Sequence, residues 1–189
     1  MVVASALTAL GAIIVCLLSK QQEALAVLLV GLICLDIGRK WLRRRSASAV
    51  VTQTFVIITT ATIGYLTESW GTSNGHWTYH GLPAGMRVPY WVPLAWAIAG
   101  ELLFWLEERV LPHLSQKMRV VAILFLGMAL PLLGESICIA HGVWTYHWPV
   151  QFFGVPLLAL ALISYAHATF LLIRRGFAAE VIAWQTKST

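Results

Sequence analysis

Apolar residues run along this chain in six blocks, at roughly 2–19, 23–41, 49–68, 90–107, 119–140 and 153–173, with short polar segments between them. A helix that crosses a bilayer needs about 20 predominantly apolar residues, and each block is that long or nearly so. The pattern predicts an all-α fold: a polytopic membrane helix bundle of about six transmembrane helices. No Lys or Arg precedes the first block, and no convincing small-x-small cleavage site stands before Lys20. The first block is therefore expected to remain as a helix rather than to be removed as a signal peptide.

Composition agrees with this reading. Of 189 residues, 59% are hydrophobic and 11% charged, and the mean hydropathy is +0.76. A soluble domain of this size needs more polar surface than that. The net charge of +5 would suit nucleic acid, but its placement does not. Arg39, Lys40, Arg43, Arg44 and Arg45 follow the second block; Arg109, Lys117 and Arg119 follow the fourth; Arg174, Arg175 and Lys187 follow the sixth. Only Lys20 and Arg87 fall on the other side. Basic residues distributed this way orient a membrane protein. They put both termini in the cytoplasm and the loops 69–89 and 141–152 on the outer side of a cytoplasmic-type membrane. The three cysteines lie in apolar stretches without a CxxC pair and are expected to be buried small hydrophobes.

The outer loops carry an internal repeat. Residues 66–89, LTESWGTSNGHWTYHGLPAGMRVP, and residues 133–156, LGESICIAHGVWTYHWPVQFFGVP, match at an offset of 67 without a gap, with ten of twenty-four positions identical. Each copy covers a helix, an outer loop and the start of the next helix, so the repeat is parallel. The chain then divides as one membrane domain, 1–189. Within it, 1–48 forms a first hairpin with its basic loop, 49–115 is repeat one, 116–176 is repeat two, and 177–189 is a cytoplasmic tail that mixes polar and apolar residues. Paired repeats in membrane proteins commonly share a site at their interface.

Glu68 and Glu135 occupy the same place in the two copies, near the outer end of an apolar helix. A carboxyl at that depth is costly unless it is paired, hydrated or protonated, and a protonated one can deliver a proton to a substrate. One such Glu would be explained as a helix-end cap; a duplicated pair points to chemistry. Trp77 and Tyr79, with their partners Trp144 and Tyr146, supply aromatic faces beside the two acids, and such faces stabilise a developing cation. The default for outer-side aromatics is an interfacial belt, which accounts for Tyr90, Trp91 and Trp148. His80 and His147 are duplicated too, with His76 and His141 nearby. Imidazole with carboxylate suits Zn, Fe or Mn, although Glu-x11-His is no known metal signature, and each His alone is first a polar anchor. The pair His80 and His147 could also serve as axial haem ligands. Deeper in the chain, Glu101 and His167 are one position out of register in the repeat and form a second candidate polar pair. Asp36 is expected to pair locally with Arg39 or Lys40, and Glu107 and Glu108 to be solvated at a helix end. No nucleotide-binding or hydrolase motif is present.

The series Thr67-Glu68, Gly71, Gly75, Trp77, Tyr79, Pro89, Pro93 and Trp96 resembles the bisanhydrobacterioruberin hydratase family and, more distantly, the small lycopene cyclase membrane domains. The resemblance covers about residues 64 to 160. The cyclases' proline followed by two adjacent glutamates at a helix start has no counterpart in this chain. The resemblance implies a membrane enzyme of carotenoid biosynthesis that acts on a polyene without a redox cofactor. It carries over Glu68 and Glu135 as catalytic acids and Trp77, Tyr79, Trp144 and Tyr146 as substrate-binding walls, and Trp96 of the same series is a further candidate wall. The expected partners are a lipid-soluble substrate and membrane lipids. Two other readings stay open: a non-enzymatic subunit holding a metal, haem or lipid through the duplicated Glu and His, and a small proton-coupled transporter.

Overall fold

The structure, a computed structural model, describes residues 2–44 and 47–187. Six helices follow one another: α1 (Val2–Leu18), α2 (Gln22–Arg44), α3 (Ala47–Ser73), α4 (Val92–Val110), α5 (Gln116–Ala140) and α6 (Leu157–Lys187). Three of them are long and apolar enough to cross a membrane: α3, α5 and the Leu157–Arg174 portion of α6. The other three depart from that standard for separate reasons. Helix α1 carries no charged residue but spans only 17 residues. Helix α2 bears Asp36, Arg39 and Lys40 in its second half, and α4 ends in Glu107-Glu108-Arg109. Segment 177–187, expected as a separate tail, continues α6 as helix. Residues 188 and 189 of that tail, and Arg45 of the basic loop, lie outside the described residues.

Helix α3 packs along α4, α5 along α6, and α1 lies against α5. Glycines set the close approaches. A Cβ at Gly100 would come within 3.2 Å of Thr60 on α3, and one at Gly127 within 3.2 Å of Ser164 on α6. Thr60 is buried but satisfied, because its hydroxyl donates to Val56 O at 2.8 Å. Pro131 sits inside α5. Much of the outward surface is apolar, as with Phe125, Tyr165 and Leu172, which are 58%, 72% and 69% exposed. Apolar surface on this scale calls for an apolar surrounding. Of the three cysteines expected to be buried, Cys138 is; Cys34 is exposed.

At one end of the bundle the two repeat loops meet. Gly75 and Gly142, at φ +72° and +68°, turn the chain out of α3 and α5 in a left-handed conformation that glycine adopts without strain. Each turn feeds a three-residue strand, β1 (Trp77–Tyr79) and β2 (Trp144–Tyr146). They pair antiparallel, Trp77 opposite Tyr146 and Tyr79 opposite Trp144, so the register is symmetric about Thr78 and Thr145. Side chains alternate along a strand, so the Trp and Tyr of each strand point inward together and the Thr points out. A second short hairpin, β3 (Gln151–Phe152) with β4 (Val155–Pro156), leads into α6. Basic side chains Lys40, Arg109 and Arg174 mark the opposite end.

Candidate functional site

The strand pair drops four aromatic side chains onto the two helix-borne glutamates. Trp77 Nε1–H and Tyr79 O–H both donate to Glu68 Oε2, at 2.8 and 3.0 Å. In the second copy Trp144 Nε1–H and Tyr146 O–H donate to Glu135 Oε2, each at 3.0 Å. The rings also interlock across the repeats. Trp77 meets Tyr146 edge-on at 5.5 Å between centroids, and Tyr79 meets Trp144 in the same way at 5.5 Å. Burial, then the neighbouring Glu68 carboxylate, pushes the Tyr79 phenol well above the usual tyrosine range; burial and Glu135 do the same for Tyr146. Both phenols therefore remain protonated donors.

The two glutamates differ in their second oxygen. Glu68 Oε1 accepts from Trp96 Nε1–H at 3.1 Å. Glu135 Oε1 has no donor among the described residues. The cause is local sequence. Gly64 and Gly71 flank Glu68 on one face of α3, and a Cβ at either would fall within 2.3 Å or less of the Trp96 or Trp77 indole. The gap at Gly64 admits the Trp96 indole, which has no counterpart in repeat two, whereas Trp144 reaches Glu135 without a glycine. At the same repeat positions α5 has Pro131 and Cys138, and α6 has Ile163 where α4 has Trp96.

Both glutamates line one apolar cavity of about 270 Å³ to which all six helices contribute. Thr8 of α1 and Trp91 also line it, and each holds a buried polar atom, Thr8 Oγ1 and Trp91 Nε1, without a partner. Thr8 lies close to Glu135, since a Cβ on Gly134 would sit 3.5 Å from its methyl carbon. A second recess of about 460 Å³ also reaches Glu68 and Glu135, from between α3 and α6, where Leu66, Leu162 and Tyr165 are exposed. A wider recess of about 1040 Å³ near Lys20 and Arg87 touches neither acid.

The histidines expected as a polar or metal site do not converge. His80 Nε2 bonds Thr145 Oγ1 at 2.8 Å and His147 Nε2 bonds Thr78 Oγ1 at 2.9 Å, on the exposed outer face of the strand pair. His76 Nδ1 accepts from Trp148 Nε1–H at 2.8 Å, and His141 Nδ1 bonds the Ile137 carbonyl of its own helix. Among the described residues no three His, Cys, Asp or Glu side chains gather in a way that could hold a metal. In the His80–His147 pair each Nε2 is held by the other repeat's threonine.

The pairing of Glu101 with His167 is corrected. Glu101 accepts from Lys40 Nζ at 2.6 Å, and Lys40 also reaches Asp36 at 3.3 Å, the local ion pair expected. His167 bonds Glu107 instead, at 2.7 Å. Glu107 is thus not solvated: it is 1% exposed, while its neighbour Glu108 is the one that reaches outward, to Arg174. One aromatic assigned to an interfacial belt, Trp91, is corrected as well. Trp91 is 3% exposed and packs on Tyr79, and Trp148 is tied to His76 and stands edge-on to Trp77. Tyr90, at 61% exposed, has the exposure a belt residue needs.

No protein-family model, curated protein or solved structure matches the chain.

Proposed function

We propose that this chain is a six-helix membrane enzyme that modifies an isoprenoid or carotenoid polyene by acid catalysis, through hydration or cyclisation without a redox cofactor. Both termini are cytoplasmic, and the two repeats, related by an axis along the membrane normal, build one shared site from their outer loops. The observation that carries this reading is the unequal pair of acids on one apolar cavity: Glu68 holds three donors, and Glu135 keeps Oε1 free.

Glu135, in its protonated form, transfers its proton to the less substituted carbon of a terminal alkene. The π bond breaks, a C–H bond forms, and a tertiary carbocation remains beside the glutamate anion. Trp77, Tyr79, Trp144 and Tyr146 flank that charge with ring faces and edges held by their own hydrogen bonds, so little reorganisation is needed. In hydration a water oxygen adds to the cation, and the released proton returns to Glu135. In cyclisation a neighbouring double bond attacks, and loss of a proton to Glu135 restores the acid. Thr8 Oγ1 and Trp91 Nε1 are available donors for the incoming water. The recess between α3 and α6 gives a lipid-soluble substrate a lateral route to both glutamates.

The test is expression in cells that accumulate acyclic carotenoids, read by liquid chromatography and mass spectrometry against an empty vector. A product heavier by one water supports hydration, and an isomer of altered retention supports cyclisation. Glu135→Gln should lower conversion about 10²- to 10⁴-fold, the usual worth of a positioned general acid. Glu68→Gln should keep measurable conversion. No product from a membrane-inserted wild-type chain would overturn the reading.

A further inference from the structure

The Glu107–His167 pair takes no part in the chemistry above, yet its imidazole stands on the same cavity. His167 lines that cavity, is 4% exposed, and bonds Glu107 at 2.7 Å. Glu107 Oε2 is buried without a partner. Among the described residues the nearby bases are already engaged: Arg174 by Glu108, and Lys40 by Asp36 and Glu101. A buried acid and imidazole are expensive to hold in an apolar setting, and two apolar residues of like volume would pack there at no loss. The pair is also outside the duplicated motif, so duplication does not account for it.

Its position in the cavity suggests what it meets. Trp96 touches Glu68 and Phe104 touches His167, at 5.4 Å between rings. These two aromatics lie eight residues apart on α4, roughly 12 Å of helix rise. The walls between them, such as Ile98, Leu102 and Leu103, are apolar. The cavity is thus polar at both ends and apolar between. We infer that His167, held in place by Glu107, forms a second binding site that takes a hydroxyl group at the far end of a long-chain isoprenoid whose alkene end lies at Glu135. This rests on the proposed function and names the substrate class: an isoprenoid alcohol rather than a hydrocarbon. A hydroxyl both donates and accepts, so it can bond the imidazole nitrogen that Glu107 leaves free in either tautomer.

The wild-type chain in lipid nanodiscs would be titrated with farnesol and with farnesene, a probe pair with and without the hydroxyl. Tryptophan emission reports occupancy, because Trp91, Trp96 and Trp144 line the cavity. Farnesol should bind at least tenfold more tightly than farnesene. The double variant Glu107→Leu with His167→Leu should lose that preference while binding farnesene as the wild type does; His167→Gln, which can still bond Glu107, should keep the helices docked and controls for misfolding. Equal binding of both probes by the wild type, or a preference that survives the double variant, overturns the dyad as a hydroxyl site and leaves the acid chemistry standing. No response to either probe overturns both.

Discussion

Glu68 and Glu135 come from the same stretch of duplicated sequence and receive the same Trp and Tyr donors, yet they end in different states. The first is saturated by three hydrogen bonds; the second keeps an oxygen free on the cavity. One glycine and one tryptophan account for the difference. Gly64 removes the side chain that would block Trp96, and repeat two has Pro131 and Ile163 at those places, whereas Trp144 reaches Glu135 although Cys138 stands where Gly71 does. A duplicated site can therefore specialise without changing its acid: altering what fits beside the acid is enough. The first copy is fully bonded, and the second keeps an acceptor facing the cavity.

The contrast can be tested on stability. Glu68→Ala strands three buried donors and Glu135→Ala strands two, and each stranded donor costs about 1–3 kcal/mol. Glu68→Ala should be the more destabilising by about the cost of one donor, measured by chemical unfolding in micelles. Equal losses would show that Trp96 contributes nothing to Glu68. Next in size, Gly71→Ala drives a methyl into the Trp77 indole and should cost roughly 1–3 kcal/mol. Cys138→Ala at the matching position removes one buried sulfur and should cost about 0.8 kcal/mol. If the two variants unfold alike, the glycine is not what admits the indole.

A further contrast lies in alkaline stability. Tyr79 and Tyr146 keep their protons in the folded protein well above the ordinary tyrosine value. Above about pH 10 the unfolded chain gives up protons that the folded chain retains. Stability present below that pH should then fall as pH rises, by up to about 1.4 kcal/mol per pH unit for each phenol. Tyr79→Phe and Tyr146→Phe should each flatten that slope. A slope unchanged in both would mean that the phenols ionise freely in the fold.

Much of the site was legible before any fold was known. The offset of 67 picked out Glu68 with Glu135, Trp77 with Trp144 and Tyr79 with Tyr146, and each acid does receive its own Trp and Tyr. Their spacing from the glutamate is local, so the contact needs only a helix end, a glycine turn and a short strand. The histidines misled because duplication marks any kept residue, and His80 and His147 are used across the strand pair, each on the other repeat's threonine. Glu107 was missed because it stands beside Glu108 at a helix end. A shift of one residue, about 100° around the helix, separates a buried acid from an exposed one. Glu101 and His167 were paired by depth alone, and depth does not say which face a helix turns to which neighbour.

By itself the sequence determined the helices, the repeat and the Trp–Tyr clamp on each acid, because hydrophobic period, glycine turns and strand alternation act within a few residues. Tertiary structure decided which acid stays open, which histidine is buried with which glutamate, and that all six helices share one cavity. Those outcomes depend on which helix faces meet, and packing between segments far apart in the chain sets that.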